Sequence, residues 1–238
     1  MKRILIYMIR ILYRDDQILI CEKPVGISSE SPGLPDLVND QTGLKTFPVH
    51  RLDQGTGGIC ILALSSRICG LLQALFRDGK VDKDYFAVVS GRPVTDSGCY
   101  NDLLYHDRRQ NKTFIARKMR KGVKEASCEW SVIHSVFLED QIISLIHVRL
   151  HTGRTHQIRI QFASRGLPLV GDRKYGSLIK GKNPALWAGC IAFPHPDQSS
   201  VSVRASSTPP AVFPWDRFPE EVYDCVICSC ASRTSSKT

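Results

Sequence analysis

Short runs of β-favouring side chains, each closed by glycine or proline, follow one another along the chain, and only two stretches carry a helical period. Residues Ile11 to Cys21 read as a hairpin around Asp15-Asp16, closed by Lys23-Pro24-Val25-Gly26. Ile59 to Leu64 is a buried strand flanked by glycines, and Tyr85 to Ser90 is another, bounded by Gly91 and Pro93. Ala126 to Val136 and Ile142 to Leu150 form an antiparallel pair joined through Leu138-Glu139-Asp140-Gln141. Against these, Ile68, Leu71, Leu72, Leu75 and Phe76 recur at helical spacing, with Ser65 or Ser66 to cap the start and Gly79 the end. Thr155 caps a second helix, with Ile158 and Phe162 inward, Arg159 on the side of His156, and Gly166 at its end. From Glu30 to Phe47, Pro, Gly, Asp and Asn dominate, which predicts a surface loop. Strands therefore outnumber helices, and no internal repeat is visible.

A chain of 238 residues makes one domain or two small ones. Folding at this length hides roughly 70–75% of the surface the unfolded chain exposes, so no disulfide or metal is required to hold a core. With 42% apolar and 23% charged residues, disorder along the whole length is excluded. Lys and Arg number 32 against 23 Asp and Glu, and the net charge of +9 favours a polyanionic partner or a solvated basic surface. Nine cysteines suggest disulfides until they are placed. Cys21, Cys60, Cys69, Cys99, Cys128 and Cys190 are scattered among apolar residues and read as reduced core thiols of a cytoplasmic protein. Cys225, Cys228 and Cys230 cluster, but without the further ligands that four-coordinate zinc needs. The Ser/Thr/Cys-rich stretch 225–238 reads as a disordered tail after a domain spanning 1–224. Met1 to Tyr13 is too short and too charged to span a bilayer.

The densest charge lies in Tyr105 to Lys124, where eight positive side chains, Arg117, Lys118, Arg120 and Lys121 among them, meet the single acid Asp107. Two readings are open: a solvated loop, or an arm that contacts phosphates and steepens the salt dependence of binding.

Two segments carry candidate chemistry. His50-Arg51-Leu52-Asp53-Gln54-Gly55-Thr56-Gly57-Gly58 sets one carboxylate between a basic pair and a glycine-rich turn. Asp53 either makes an Asx-type turn to backbone amides or is free for chemistry. No Gly-Lys-Ser/Thr follows, so the glycines are not a nucleotide-phosphate loop. Leu150 to Arg159 packs His151, Arg154, His156 and Arg159 at a strand-to-helix junction. The histidines, five apart, miss the spacing of a helical zinc pair. An Arg159 facing Asp53 in a partly buried cleft would interact with it by about 4 kcal/mol at about 4 Å, before desolvation, and hold it ionised.

These residues resemble the RluA-type pseudouridine synthases. His50-Arg51-Leu52-Asp53 with Thr56 and Gly58 is similar to their catalytic motif. Lys83 to Gly91 resembles their K-x-Y-x-A-x-V-x-G, and Thr152 to Arg159 their T-G-R-x-H-Q-I-R. Early Lys23-Pro24-x-Gly26 and late Gly171-Asp172-x-x-Tyr175-Gly176 stand in the same order, so the resemblance covers about residues 11–218. It implies an α+β fold, a mainly antiparallel bent sheet flanked by a few helices with an RNA-binding cleft across it. It also implies isomerisation of uridine to pseudouridine in structured ribosomal or transfer RNA, with neither cofactor nor metal. By motif match Asp53 is the catalytic carboxylate, as nucleophile or as base; Arg159 keeps it charged; and Tyr85 lies against the flipped uracil as candidate base for the C5 proton. Arg51 fills the gap left by the flipped base, while Arg154, Arg117, Lys118, Arg120 and Lys121 hold phosphates.

Three departures stand out. Gly57 replaces a usual Ser, which loosens the turn behind Asp53; Trp187 replaces a common His; and no room precedes Lys23 for the S4-like RNA-binding domain of many relatives. The expectation is a monomer without obligate protein partner or membrane contact, recognising a compact stem-loop by its catalytic domain alone. The rival is a non-catalytic RNA-binding or RNA-chaperone module that kept the fold. A glycosidase would need a second carboxylate acid that no motif supplies.

Overall fold

The structure, a computed structural model, describes residues 8–198 and 200–232. Eleven strands form one sheet, mostly antiparallel, with few helices on its faces. The early hairpin is present as β1 (Ile11–Arg14) and β2 (Ile18–Lys23). The stretch read as a loop from Glu30 to Phe47 contains a helix, α1 (Leu34–Thr42). Its cues are local and were masked by composition. Pro35 opens the first turn, the Asp36 carboxylate accepts the Gly33 amide at 2.7 Å, and Gly43 ends it at φ 70°. After β3 (Phe47–Pro48), strand β4 (Gly57–Ala63) is buried along its whole length, because helices cover both its faces. Ile59 and Ile61 meet Ile68 and Leu72 of α2 (Ser66–Arg77), whereas Cys60 and Leu62 meet Leu34 and Val38 of α1. Ser65 caps α2, as its sequence predicts, accepting the Ile68 amide at 3.3 Å.

The second half builds outward from β5 (Asp82–Ser90). The basic segment is part hairpin and part loop: β6 (Ser97–Asp107) and β7 (Lys112–Ala116) pair at the sheet edge, and Arg117, Lys118, Arg120 and Lys121 follow in an exposed loop. Then β8 (Val123–Leu138) and β9 (Gln141–Leu150) make a long antiparallel pair. Helix α3 (Gln157–Ala163) seats Ile158 and Phe162 on Ala87, Val89, Ile146 and Val148. Its cap is His156 in the left-handed region, not Thr155. Strands β10 (Leu186–Pro194) and β11 (Ser202–Ser206) complete the sheet. Where the composition predicts a frayed tail from Cys225, the chain continues as α4 (Glu221–Ser232), because Tyr223 and Val226 pack beside Phe86 and Trp215. The side chains of Cys225, Cys228 and Cys230, and residues 233–238, lie outside those described, as do 1–7. Of the other cysteines, Cys99 is exposed and Cys69 half-buried, so only four of the six expected core thiols are core. No helix among the described residues is long and apolar enough to cross a membrane.

The sheet's parallel contact explains the two sequence departures together. β10 runs parallel to β4 with Trp187 opposite Gly57 and Ala188 opposite Gly58. A Cβ on Gly57 would collide with the Trp187 ring and come within 2.8 Å of Val25. Gly58, at φ 107°, presses on the Ala188 backbone. Glycine at 57 therefore makes room for tryptophan rather than loosening the turn, and the indole is anchored by donating to the Ser207 carbonyl at 3.2 Å. Gly57→Ser is expected to cost about 1–3 kcal/mol in urea unfolding. In a Trp187→His background the same change is expected to cost at least about 1 kcal/mol less. Strict additivity would show that the two exchanges are unrelated.

Candidate active site

Asp53 sits on the turn between β3 and β4, and two early side chains and one early backbone amide fix that turn. Lys23, fully buried, donates to the carbonyls of Pro24, Ile27 and Gln54 at 3.0, 2.8 and 3.3 Å. Burial pushes its ammonium down to about 8. The Ser29 hydroxyl donates to the Leu52 carbonyl at 3.0 Å and accepts its amide at 2.9 Å, while the Gln54 carbonyl accepts the Gly26 amide at 2.8 Å. The Lys-Pro-x-Gly segment is thus the clamp behind Asp53.

The Asp53 carboxylate does not make an Asx turn. Its Oδ2 lies 3.3 Å from Nη1 of Arg159 and 3.6 Å from Nε2 of His156. Among the described residues no donor reaches Oδ1. Arg159 faces Asp53 as its motif predicts, but it is shared. Its Nε and Nη2 donate to the two oxygens of Asp172 at 2.7 and 2.8 Å, a bidentate pair with both partners buried. Asp172 stands in the Gly-Asp-x-x-Tyr-Gly segment, whose motif by itself assigns it no role. A buried arginine needs more than one exposed carboxylate, and that requirement is the signal that could have found it.

His156 is buried, and burial, with Arg159 and Lys174 nearby, pushes its imidazolium down to about 4 despite Asp53. Tyr85 also faces Asp53 across a 130 Å³ lobe of the cleft, walled by Thr56, Leu150, Ile158 and Leu186. Burial, aided by Cys60 and Asp53, raises the Tyr85 phenol well above its ordinary range, so it is protonated at neutral pH. A second, more polar lobe of 270 Å³ opens on the other side of Asp53, between Ser28, Glu30, Arg51, Asn111 and Lys174. Arg51 is exposed at the mouth of both lobes, 3.7 Å from Glu30. Arg154 lines the first lobe and donates through Nε to the Glu125 carbonyl at 2.8 Å. Glu125 pairs with Leu103 at the end of the hairpin from which the loop of Arg117, Lys118, Arg120 and Lys121 projects. Arg120 lies over the Tyr105 ring at 5.4 Å.

His50 does not form a basic pair with Arg51. Its ring stacks on Phe76 at 4.7 Å and its Nε2 accepts the Ile61 amide at 3.0 Å. Burial, with Lys83 adding to it, pushes the imidazolium from 6.5 down to about 4. The unfolded chain therefore takes up the proton first. Stability is full above pH 6.5 and falls as the pH drops toward 4, by up to about 3 kcal/mol for this group, and His156 adds a second loss of the same sign. His50→Gln keeps an acceptor for Ile61 and is expected to remove about half of that acid sensitivity in urea titrations between pH 7 and 4. An unchanged slope would assign it elsewhere.

A mostly antiparallel α+β sheet that presents one anchored carboxylate in a basic-rimmed cleft defines a class of proteins acting on or binding polyanions. The family described as RNA pseudouridylate synthase matches residues 17–164. The chain is 37% identical over 182 residues to an uncharacterized RNA pseudouridine synthase of Aquifex aeolicus (strain VF5), covering 71% of this chain and 56% of that protein. It is 30% identical over 203 residues to tRNA pseudouridine synthase C of Yersinia pestis, covering 77% and 76%. Among solved structures, human RNA pseudouridylate synthase domain containing 1 shares the fold over the full length of both chains, with a TM-score of 0.82 at 19% identity. The chain belongs to the RNA pseudouridylate synthase family. It spans little more than half the length of the Aquifex relative.

Proposed function

We propose that this chain is an RNA pseudouridine synthase that flips a uridine of a structured RNA into the lobe between Asp53 and Tyr85. The observation that carries the reading is the one-sided anchoring of Asp53, which lines both lobes: Arg159, locked by Asp172, takes Oδ2 and leaves Oδ1 without a donor among the described residues. In the reaction the bond from N1 of uracil to the ribose breaks, the base turns, and a bond from C5 to the ribose replaces it. C5 loses a proton and N1 gains one, so the change is an isomerisation that consumes nothing.

Asp53 acts on the ribose or its anomeric carbon as an anion. Tyr85 supplies a neutral stacking face worth about 1–3 kcal/mol against the unstacking cost. Because its phenol is protonated at rest, Tyr85 takes the C5 proton only after passing its own to N1 of the detached uracil, directly or through water. Arg51 enters the gap left in the RNA, and Arg154 with Arg117, Lys118, Arg120 and Lys121 neutralises phosphates along the hairpin edge. The name of the Yersinia relative makes transfer RNA the first substrate to test and ribosomal RNA the second.

The test is release of tritium from RNA labelled at uracil C5, with transfer RNA and ribosomal RNA from cells lacking this gene. Release from either, with pseudouridine in the product, is the expected result. Salt-sensitive binding without release from any RNA would instead favour the non-catalytic RNA-binding module.

A further inference from the structure

We infer, on the reading that Asp53 is the reacting carboxylate, that Thr113 and Tyr175 hold His156 in its Nε2–H tautomer as a second donor to Asp53 Oδ2. Tyr175 and His156 are then positioning residues for the reaction. The hydrogen bonds favour one placement of the protons in the chain. The Thr113 hydroxyl donates to the Thr155 carbonyl at 2.8 Å, because a carbonyl only accepts. It therefore receives a proton from Nδ1 of His106, 3.1 Å away, and has none left for Tyr175. The Thr113 amide donates to the Tyr175 hydroxyl at 2.8 Å, so that oxygen is the acceptor there and its own proton is available to Nδ1 of His156 at 2.9 Å, the direction the inference assigns. A neutral imidazole that accepts at Nδ1 carries its proton on Nε2. Nε2 faces Asp53 Oδ2 at 3.6 Å, beyond a hydrogen bond but within reach of one as the site tightens on substrate.

His156 reaches this place at a conformational cost. It adopts φ 55°, one of three non-glycine residues among those described with positive φ, and it does so at the start of α3 without serving as a side-chain cap. The neutral state at pH 7 agrees with its burial. Arg159 and His156 converge on the same oxygen, so neither competes for Oδ1. The first member of the chain, Thr113, sits on β7 of the basic hairpin.

Two measurements on the full chain decide it. Long-range 15N–1H correlation spectra at pH 7, with His156 assigned by its loss in His156→Gln, are expected to show Nδ1 bare and Nε2 protonated. Tyr175→Phe, which keeps the ring beneath Arg159, is expected to mix the two tautomers. A proton on Nδ1 in the wild type overturns the inference whether or not the protein turns over RNA. In single-turnover tritium release, Tyr175→Phe is expected to slow the step by about 5–20-fold with RNA affinity within about twofold, while His156→Gln, which can return a donor, stays faster than His156→Ala. The double variant His156→Ala/Tyr175→Phe is expected to be no slower than His156→Ala, since the hydroxyl acts only through the imidazole. Additive losses, or an unchanged rate in Tyr175→Phe, would overturn the inference and leave the isomerase reading standing. A wild type that releases no tritium would sink the isomerase reading, with the spectra still deciding the tautomer.

Discussion

Asp53→Asn is expected to lower tritium release by at least about 10³-fold, equivalent to about 4 kcal/mol of barrier, while RNA affinity stays within about threefold. The amide keeps the size of the carboxylate and one acceptor oxygen for Arg159 but not its charge, so it neither attacks ribose nor takes a proton. Stability is expected to change by less than about 1 kcal/mol, because Arg159 keeps its two short bonds to Asp172 and no buried charge is stranded. Single-turnover assays, filter binding and urea unfolding on one preparation separate these quantities. Release within tenfold of wild type would remove Asp53 from the chemistry and leave the non-catalytic module as the better account.

Asp172→Asn is expected to do the opposite damage first. It strands the buried Arg159 guanidinium beside a neutral amide, at a cost of about 3–5 kcal/mol. For a chain of this size that lowers the unfolding midpoint by about 10 °C. Activity falls as well, because Arg159 loses the clamp that directs Nη1 at Asp53. The double variant Arg159→Met/Asp172→Leu tests which loss is which. Replacing a buried ion pair by apolar side chains of similar volume is often neutral, so stability is expected to return while turnover does not. If Asp172→Asn unfolds within about 1 kcal/mol of wild type, the pair is not the fixed point of the site.

The sequence by itself determined several local elements and named the pair Asp53 and Arg159. The period of Ile68 to Phe76 gives α2 and the Asp15-Asp16 turn gives the first hairpin, because both are decided by neighbours a few residues apart. The motifs around Asp53 and Arg159 name two side chains that meet at 3.3 Å although 106 positions separate them. Helix α1 was legible too, in Pro35, Asp36 and Gly43, but loop-like composition concealed it. What tertiary structure alone decided are the partners whose identity depends on which distant strands come together. Gly57 and Trp187 look like two unrelated departures until β4 and β10 lie parallel and one side chain takes the other's space. His50 looks basic beside Arg51 until the fold buries it against Phe76. Tyr175 and Thr113 carry no sign in sequence of which groups they serve. A buried charge or imidazole is shaped by every dipole and charge within a few ångströms, and only the folded chain places them there.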